Sequence, residues 1–231
     1  MTAPSRVLRA GGLYFGGDAY VEVNDSPELN PEEWTIIAWI KHSFPVGQNI
    51  GYYPFILSKG RAEMKGYWLV IRKLDQKFTV GTGDGTTYAE LVTEQLDNNW
   101  HMVVGQLKGN ELIAYVDLNK YTRTLDFTPV VSTRNIIIGM HDSLLFPYRG
   151  FINNLRIYNI ALSQSQIWEL YKNPYAQVEM EHCVLWLPFT EHEGDVAHDY
   201  SGYGNHGTIY NARWVIKKPL RVLTPARVLA V

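Results

Sequence analysis

One stretch decides the fold: residues 150–167 read GFINNLRIYNIALSQSQI. Its first half alternates with a period of two and is rich in β-branched and aromatic residues, which predicts a strand over 151–159. Its second half changes to helical spacing. Ser163 and Gln166 form an S-x-x-Q capping box, and Pro174 ends the helix. The stretch therefore predicts a strand that runs directly into one short helix.

Short strand-like runs separated by turn residues fill most of the remaining chain. The predicted strands are 13–23, 34–41, 55–58, 67–72, 77–81, 88–94, 100–107, 112–118, 183–189 and 208–216. Many short, evenly spaced strands with one capped helix are typical of an all-β, two-sheet antiparallel sandwich. We expect a tail over 1–12, a single domain over 13–216 and a second tail over 217–231.

Composition narrows the class of protein. The chain has 231 residues, of which 46% are hydrophobic, and a net charge of −2. This length suffices for one β-sandwich with a large core, and the charge gives no electrostatic reason to expect nucleic acid as a partner. Cys183, the single cysteine, excludes an internal disulfide framework and is expected to be a buried, inert side chain. No apolar stretch is long enough for membrane insertion, and the start lacks the apolar region of a signal peptide.

Four motifs carry a resemblance to a known family. They are 13–23, 99–105 with 114–117, 150–167, and 185–208. The third is similar to the closing signature G-x-I-D-E-V-R-I-Y-N-R-A-L-S-x-x-E-I. Together they resemble concanavalin A-like, laminin-G-like jelly-roll domains over roughly residues 10–216. The resemblance implies an all-β jelly roll of two antiparallel sheets with one short helix.

The order of these motifs is unusual. The WLPF…DYSGYGNHGT segment usually opens such a domain, but here it stands last. A jelly roll brings its first and last strands side by side, so its chain ends can be moved without disturbing the core. We interpret the chain as one circularly permuted domain, because residues 175–231 alone would bury too little surface to fold. This interpretation predicts that the strand over 183–189 pairs with the strand over 151–159.

The carboxylates do not indicate glycan hydrolysis. Glycosidases of this architecture place an E-x-D-x-E set on one strand, so that two carboxylates flank the scissile bond. No such set occurs on a predicted strand: Glu90 and Glu94 flank the apolar pair Leu91-Val92, and Glu191, Glu193 and Asp195 alternate in a loop. A solvated acidic loop is the favoured interpretation of the second group. The sequence therefore favours a protein that is not an enzyme.

A calcium ion is implied by the resemblance alone. Members of the family often hold one structural Ca²⁺ between the first and last strands, bound by hard oxygen ligands. The matching positions are Asn153 and Asp199, and Asp18 is a further carboxylate in the neighbouring motif. Asn153 and Asn154 replace acidic residues of the family motif, which lowers the expected affinity. The alternative is a metal-free site bridged by hydrogen bonds.

A ligand-binding surface is predicted from strand alternation. With Leu69, Ile71, Phe78, Val80, Trp100, Met102, Val104 and Val116 in the core, the opposite face carries Trp68, Arg72, His101 and Tyr115, together with Lys77 and Thr79. The resemblance implies that this face is the concave sheet on which glycans often lie. Aromatic rings beside charged groups suit sugars. An ordinary solvated face is the alternative, and an error of one residue would move the surface to loops around Tyr52, Asp84 and His141.

Two functions from different classes stay open. The first is a non-catalytic, lectin-like module that recognises glycans or a cell-surface polymer. The second is a structural or assembly protein of a surface layer or virion, self-associating through tails in which the phrase Arg-Val-Leu at 6–8 recurs at 221–223 and 227–229. A glycan-cleaving enzyme ranks third. The sequence leaves the compartment open, with an extracellular, cell-surface or virion location favoured.

Overall fold

A computed structural model describes residues 12–215. Within this range the strands are β1 Gly12–Gly16, β2 Tyr20–Val23, β3 Trp34–His42, β4 Phe55–Lys59, β5 Tyr67–Ile71, β6 Lys77–Gly83, β7 Tyr88–Gln95, β8 His101–Lys108, β9 Glu111–Val116, β10 Asn119–Thr124, β11 Ile136–Ile138, β12 Arg149–Tyr158, β13 Cys183–Leu187, β14 Val196–Ala197, β15 Gly207–Tyr210 and β16 Arg213–Val215. One α-helix, α1, spans Gln164–Lys172, and short 3-10 helices span Pro27–Leu29, Arg61–Glu63 and Met180–His182. The predicted tails, and self-association through them, lie outside the described residues except for Gly12.

The strands form two antiparallel sheets that pack face to face. Sheet A has the order β10-β9-β8-β3-β12-β1-β16, and β13 also pairs with β12. Sheet B has the order β14-β15-β2-β11-β4-β5-β6-β7. The predicted all-β, two-sheet sandwich with one short helix is therefore confirmed.

Strand β12 is central to sheet A. Along one side it pairs with β3, while its other side is shared by β1, which pairs Leu13 with Ile152, and by β13, which pairs Leu155 with Leu187. The predicted pairing of 183–189 with 151–159 is thus present. Strands β15 and β16 pair with β2 and β1 respectively. The C-terminal segment therefore completes both sheets, as a permuted chain requires.

The main core lies between the sheets. Leu69, Ile71, Phe78, Val80 and Val116 belong to it, as predicted. Met102 and Val104 do not, because β8 turns Val103 and Leu107 inward instead. Trp100 packs on the opposite side with Met102. The prediction failed here because both faces of β8 are buried, so the run Met102-Val103-Val104 has no polar residue to mark the outer face.

Helix α1 covers the outer face of sheet A. Its predicted capping box is present, because Ser163 Oγ accepts the Gln166 N–H and Gln166 Oε1 accepts the Ser163 N–H at 2.8 Å. Ile167, Leu170 and Tyr171 are buried against the sheet. Together they cover Ile37, Trp39, Met102, Val104, Ile113, Tyr115 and Tyr158. Within residues 12–215 no helix is long and apolar enough to cross a membrane.

Cys183 lies in this same layer beneath the helix. Its side chain is fully buried, as expected. Burial raises the pKa of the thiol to about 12, although the nearby Arg156 opposes the shift. A thiol with such a pKa stays protonated at neutral pH and is a poor nucleophile.

Candidate functional site

The outer face of sheet B carries an open cleft of about 420 Å³. Buried apolar side chains of β4 and β5 form its floor, and side chains from three loops and β7 form its walls. The lining residues are Tyr53, Phe55, Arg61, Ala62, Val70, Tyr88, Glu90, His141 and Phe146. This surface is called the cleft below.

Trp68 supports the cleft from beneath. Its indole lies against Gly81 on the neighbouring strand, and a Cβ at position 81 would overlap the ring. Arg61 and Tyr88 cover the other side, so that Trp68 is fully buried together with Phe55 and Val70. The close approach of the indole to the strand explains why position 81 is glycine.

The predicted strand register places Trp68 on the correct face of the sheet, but the prediction that its side chain is exposed was wrong. Trp68 points to the outer face, opposite Leu69, as alternation required. It is not available to stack on a ligand, because the 3-10 helix Arg61–Glu63 after β4 and the side chain of Tyr88 fold over it. Alternation assigns a side chain to a face of a sheet but does not say what covers that face.

Three aromatic rings stand at the rim of the cleft and reach solvent. The exposed fractions of Tyr53, Tyr88 and Phe146 are 37%, 43% and 42%. The His141 ring meets Phe55 and Phe146 edge-on, at centroid distances of 4.6 and 5.8 Å. Partly exposed aromatic rings around an open hollow offer apolar faces on which a flat ligand surface can stack.

Three polar side chains, Arg61, Glu90 and His141, line the same cleft. The Arg61 guanidinium lies 4.1 Å from the centroid of the Tyr88 ring and 4.9 Å from that of Trp68. Glu90 Oε1 accepts the indole N–H of Trp68 at 3.2 Å. Between them the side chains provide cationic donors and a carboxylate acceptor, the groups that bind hydroxyls and charged substituents.

His141 is a neutral donor at this site. Burial lowers the pKa of its ring, and the positive charges of Arg61 and Arg134 lower it further against the opposing effect of Asp142. Nδ1 accepts the Ser143 N–H at 3.0 Å. Because that nitrogen is an acceptor, we assign the proton of the neutral ring to Nε2, which leaves an N–H to donate.

The loop that carries His141 and Phe146 is fixed by Asp142. This carboxylate is buried and accepts the Arg134 Nε–H at 2.8 Å, the Ser58 hydroxyl at 2.7 Å and the Ala62 N–H at 3.2 Å. It thereby ties the loop both to β4 and to the 3-10 helix that carries Arg61. A cleft whose walls are already tied together loses little conformational entropy when it binds.

The other three predicted ligand residues lie elsewhere. Arg72 follows β5 and pairs with Asp75 at 3.4 Å. Tyr115 is buried under α1 on sheet A. His101 is also on sheet A, opposite the core residue Ile40.

The predicted common face for these residues is thus incorrect. Trp68 belongs to sheet B and Arg72 directly follows its strand, whereas His101 and Tyr115 belong to sheet A. The chain changes sheets between β7 and β8, and the sequence between them has no feature that marks the change. His101 instead joins Asp97 and Asp117 with two hydrogen bonds of 3.0 Å. Burial lowers its pKa, but these carboxylates outweigh burial and raise it.

The predicted calcium ligands do not share one site. Asp199 and Asp18 lie beyond opposite ends of the paired strands β2 and β15. Asn205 donates to the Asp199 carboxylate and also to Glu28, which follows β2. Asp18 precedes β2, and its backbone carbonyl accepts the side-chain amide of Asn211, which follows β15. At about 3.3 Å per residue, four residues of strand separate them by roughly 10 Å. Asn153 lies at the register shift of β12, where its Oδ1 accepts the Tyr175 hydroxyl at 3.1 Å.

Hydrogen bonds occupy the carboxylate of Asp199. It accepts the N–H groups of Trp186, Ser201 and Asn205 at 2.8–2.9 Å and the Ser201 hydroxyl at 2.7 Å. These hydrogen bonds bridge the loop that carries Asp199. Calcium binding itself stays a prediction, and melting the protein in chelator and in excess calcium tests it, because an ion that binds only the folded state raises the melting temperature.

A family model described as the concanavalin A-like lectin/glucanases superfamily matches residues 15–168. The chain belongs to this superfamily. The comparison with curated proteins finds no match. The C-terminal strands β13 to β16 lie outside the matched range, yet they complete both sheets.

Solved structures share this fold at low sequence identity. A Bacteroides ovatus protein, provisionally described as carbohydrate-binding, aligns with a TM-score of 0.66 at 16% identity over 90% of this chain. A pentraxin from Limulus polyphemus gives 0.54 at 13% identity over 71% of this chain and 82% of its own. Mouse laminin α1 domains LG4-5 give 0.52 at 15% over 66%. The chain spans 61% of the Bacteroides protein and 44% of the laminin fragment.

Proposed function

We propose that this protein is a non-catalytic, lectin-like module that binds glycans, or a cell-surface polymer that displays them, in the cleft on sheet B. The observation that carries the proposal is the combination of three solvent-exposed aromatic rings with Arg61, Glu90 and His141 around one open hollow. Aromatic rings stack on the C–H faces of sugars while the polar groups bind hydroxyls. The carbohydrate-binding description of the Bacteroides ovatus relative supports the same class of ligand.

The carboxylates at the cleft support binding rather than cleavage. Glycoside hydrolysis requires two carboxyl groups that flank the scissile bond. Among the described residues that line the cleft, Glu90 is the one carboxylate, and it is engaged by the Trp68 indole. Asp142, behind the wall, is held by Arg134. We therefore propose recognition without chemistry.

A single site of this kind should bind weakly. Each aromatic contact contributes on the order of 1 kcal/mol beyond its buried area. Useful affinity for a glycan-covered surface would then come from several copies acting together. Binding assays should accordingly use multivalent display of the protein.

A matched pair of tyrosine variants tests the proposal. Tyr88 and Tyr200 each meet a tryptophan edge-on, at centroid distances of 6.0 and 6.1 Å, and are 43% and 54% exposed. Only Tyr88 lines the cleft. On a glycan array, Tyr88→Ala should lose roughly tenfold in binding, which corresponds to about 1.4 kcal/mol, whereas Tyr200→Ala should bind like the unaltered protein. Equal losses from both variants, or array signal that neither changes, would remove the cleft as the binding site.

A further inference from the structure

Arg61 differs from Arg72 and Arg134 because it has no acidic partner in the described part of the chain. Arg72 pairs with Asp75, and Arg134 pairs with Asp142. The Arg61 guanidinium makes no hydrogen bond or ion pair with any residue in the described range, and its Nε is buried without a partner. It nevertheless lines the cleft.

The contacts that Arg61 does make leave its donors free. Tyr88 and Trp68 contact the guanidinium through their rings. A cation beside an aromatic ring is attracted by the charge distribution of the ring and uses no N–H group in a hydrogen bond. The N–H groups lie in the guanidinium plane and form a fork that fits carboxylate or sulfate oxygens. The terminal nitrogens of Arg61 have no protein acceptor among residues 12–215, so a ligand oxygen in the cleft can accept their N–H groups in charge-assisted hydrogen bonds, which are stronger than bonds between neutral groups.

Charges around the cleft favour an anion near Arg61. Glu90 also lines the cleft, and its carboxylate accepts the Trp68 indole N–H. Lys73 lies 5.4 Å from the centroid of the Tyr53 ring at the rim. Arg123 donates to the Glu90 carbonyl oxygen at 2.8 Å. Of the charged residues that line the cleft, Arg61 is cationic and Glu90 is anionic, and Lys73 and Arg123 add positive charge beside it.

We propose that the cleft selects sugars with an anionic substituent, a carboxylate or a sulfate, and that Arg61 is the specificity-determining residue that binds it. The inference rests on the proposed function, since it names the class of glycan that the cleft takes. Glu90 and the His141 N–H then bind neighbouring hydroxyls, while the aromatic rim holds the ring of the sugar.

The test compares neutral, uronic-acid-containing, sialylated and sulfated glycans on one array. We expect the acidic glycans to bind at least tenfold more tightly than neutral glycans of the same backbone. The carboxylated and sulfated probes reveal which anion is preferred. Equal binding of neutral and acidic probes would overturn the selectivity while leaving the proposed function intact. If no glycan bound at all, the proposed function would fail and the selectivity with it.

Three variants then test whether Arg61 provides the selectivity. Their affinities are measured by titration with the acidic glycan that binds most tightly on the array. Arg61→Gln should weaken binding roughly ten- to hundredfold, the loss expected for charge-assisted hydrogen bonds. Arg61→Lys should recover part of it, because lysine keeps the charge but not the planar fork. Arg72→Gln removes the same charge from the end of β5, outside the cleft, and should leave binding unchanged.

Two readouts separate recognition from a structural role for Arg61. Raising the salt concentration should weaken binding by the unaltered protein more than binding by Arg61→Gln, because salt screens an exposed charge interaction. Neutral glycans should bind equally to both proteins. If Arg61→Gln lost neutral and acidic glycans alike, or if Arg72→Gln matched its loss, Arg61 would not be the anion-binding residue.

Discussion

Two clusters in this molecule are built from the same three residue types but differ in the hydrogen bonds that their arginines make. In the cleft, Arg61 lies 4.9 Å from the Trp68 ring, and Tyr88 meets that ring edge-on. At the other site, Arg156 lies 4.0 Å from the ring of Trp186, which Tyr200 meets edge-on. Each cluster therefore combines a stacked arginine, a tryptophan and a partly exposed tyrosine.

The difference lies in the hydrogen bonds of the arginine. Arg156 is buried and donates to the carbonyl oxygens of Ala176 and Pro174 at 2.7 and 2.9 Å and to the Tyr158 hydroxyl at 3.2 Å. These bonds tie β12 to the segment that follows α1. Arg61 has no such bonds in the described part of the chain and lines an open cleft. An arginine whose guanidinium nitrogens all donate to the protein stabilises the fold, whereas one with free N–H groups at an open cleft can bind a ligand.

The largest loss of folding stability should come from a substitution at Arg156, whose guanidinium nitrogens are all hydrogen-bonded. Arg156→Met removes the donors for the carbonyl oxygens of Pro174 and Ala176 while keeping much of the apolar stem. Losing these charge-assisted hydrogen bonds should cost on the order of 4 kcal/mol, even though Asn154 still donates to the Pro174 carbonyl oxygen. Denaturant unfolding measures this loss. Arg61→Met is the matched control, and if it destabilised the protein equally, the contrast between the clusters would be wrong.

A smaller loss of folding stability should follow from removing Trp68, which supports the cleft from beneath. Trp68→Ala deletes a fully buried indole, for which losses of about 3 kcal/mol are typical, although the site lies near the surface and can partly collapse. Binding should fall as well, since Arg61 and Tyr88 lose the ring that positions them. Thermal and denaturant unfolding give the first result and array binding the second. Unchanged stability would show that Trp68 is exposed after all.

The sequence was informative wherever a local pattern has a single structural solution. The 150–167 stretch gave the strand, the helix and the capping box because the change of period and the S-x-x-Q spacing are local features. The relocated C-terminal motif gave the pairing of β13 with β12. Trp68 was placed on the correct face because its own strand neighbours alternate clearly.

The candidate site was harder to predict because it is assembled from distant segments. Tyr53, Arg61 and Phe146 come from three connections between strands, and nothing in their local sequence says that they meet. His141 belonged to the loops expected to form the surface if the register was wrong, and it lines the cleft even though the register of β5 was right. The glycine at position 81 was the available signal, since a glycine in a strand indicates that a large group approaches the backbone.

An NMR titration of the labelled protein with an array-selected glycan tests the central claim most directly, because it reports where the ligand lies. The account predicts that backbone amide shifts concentrate on residues 53–62, 88–90 and 141–146, which surround the cleft. The helix α1 that covers sheet A, and the loop around Tyr200, should be unaffected. Shifts concentrated on α1 or on the 199–206 loop, with the cleft silent, would contradict the assignment of the binding site to sheet B.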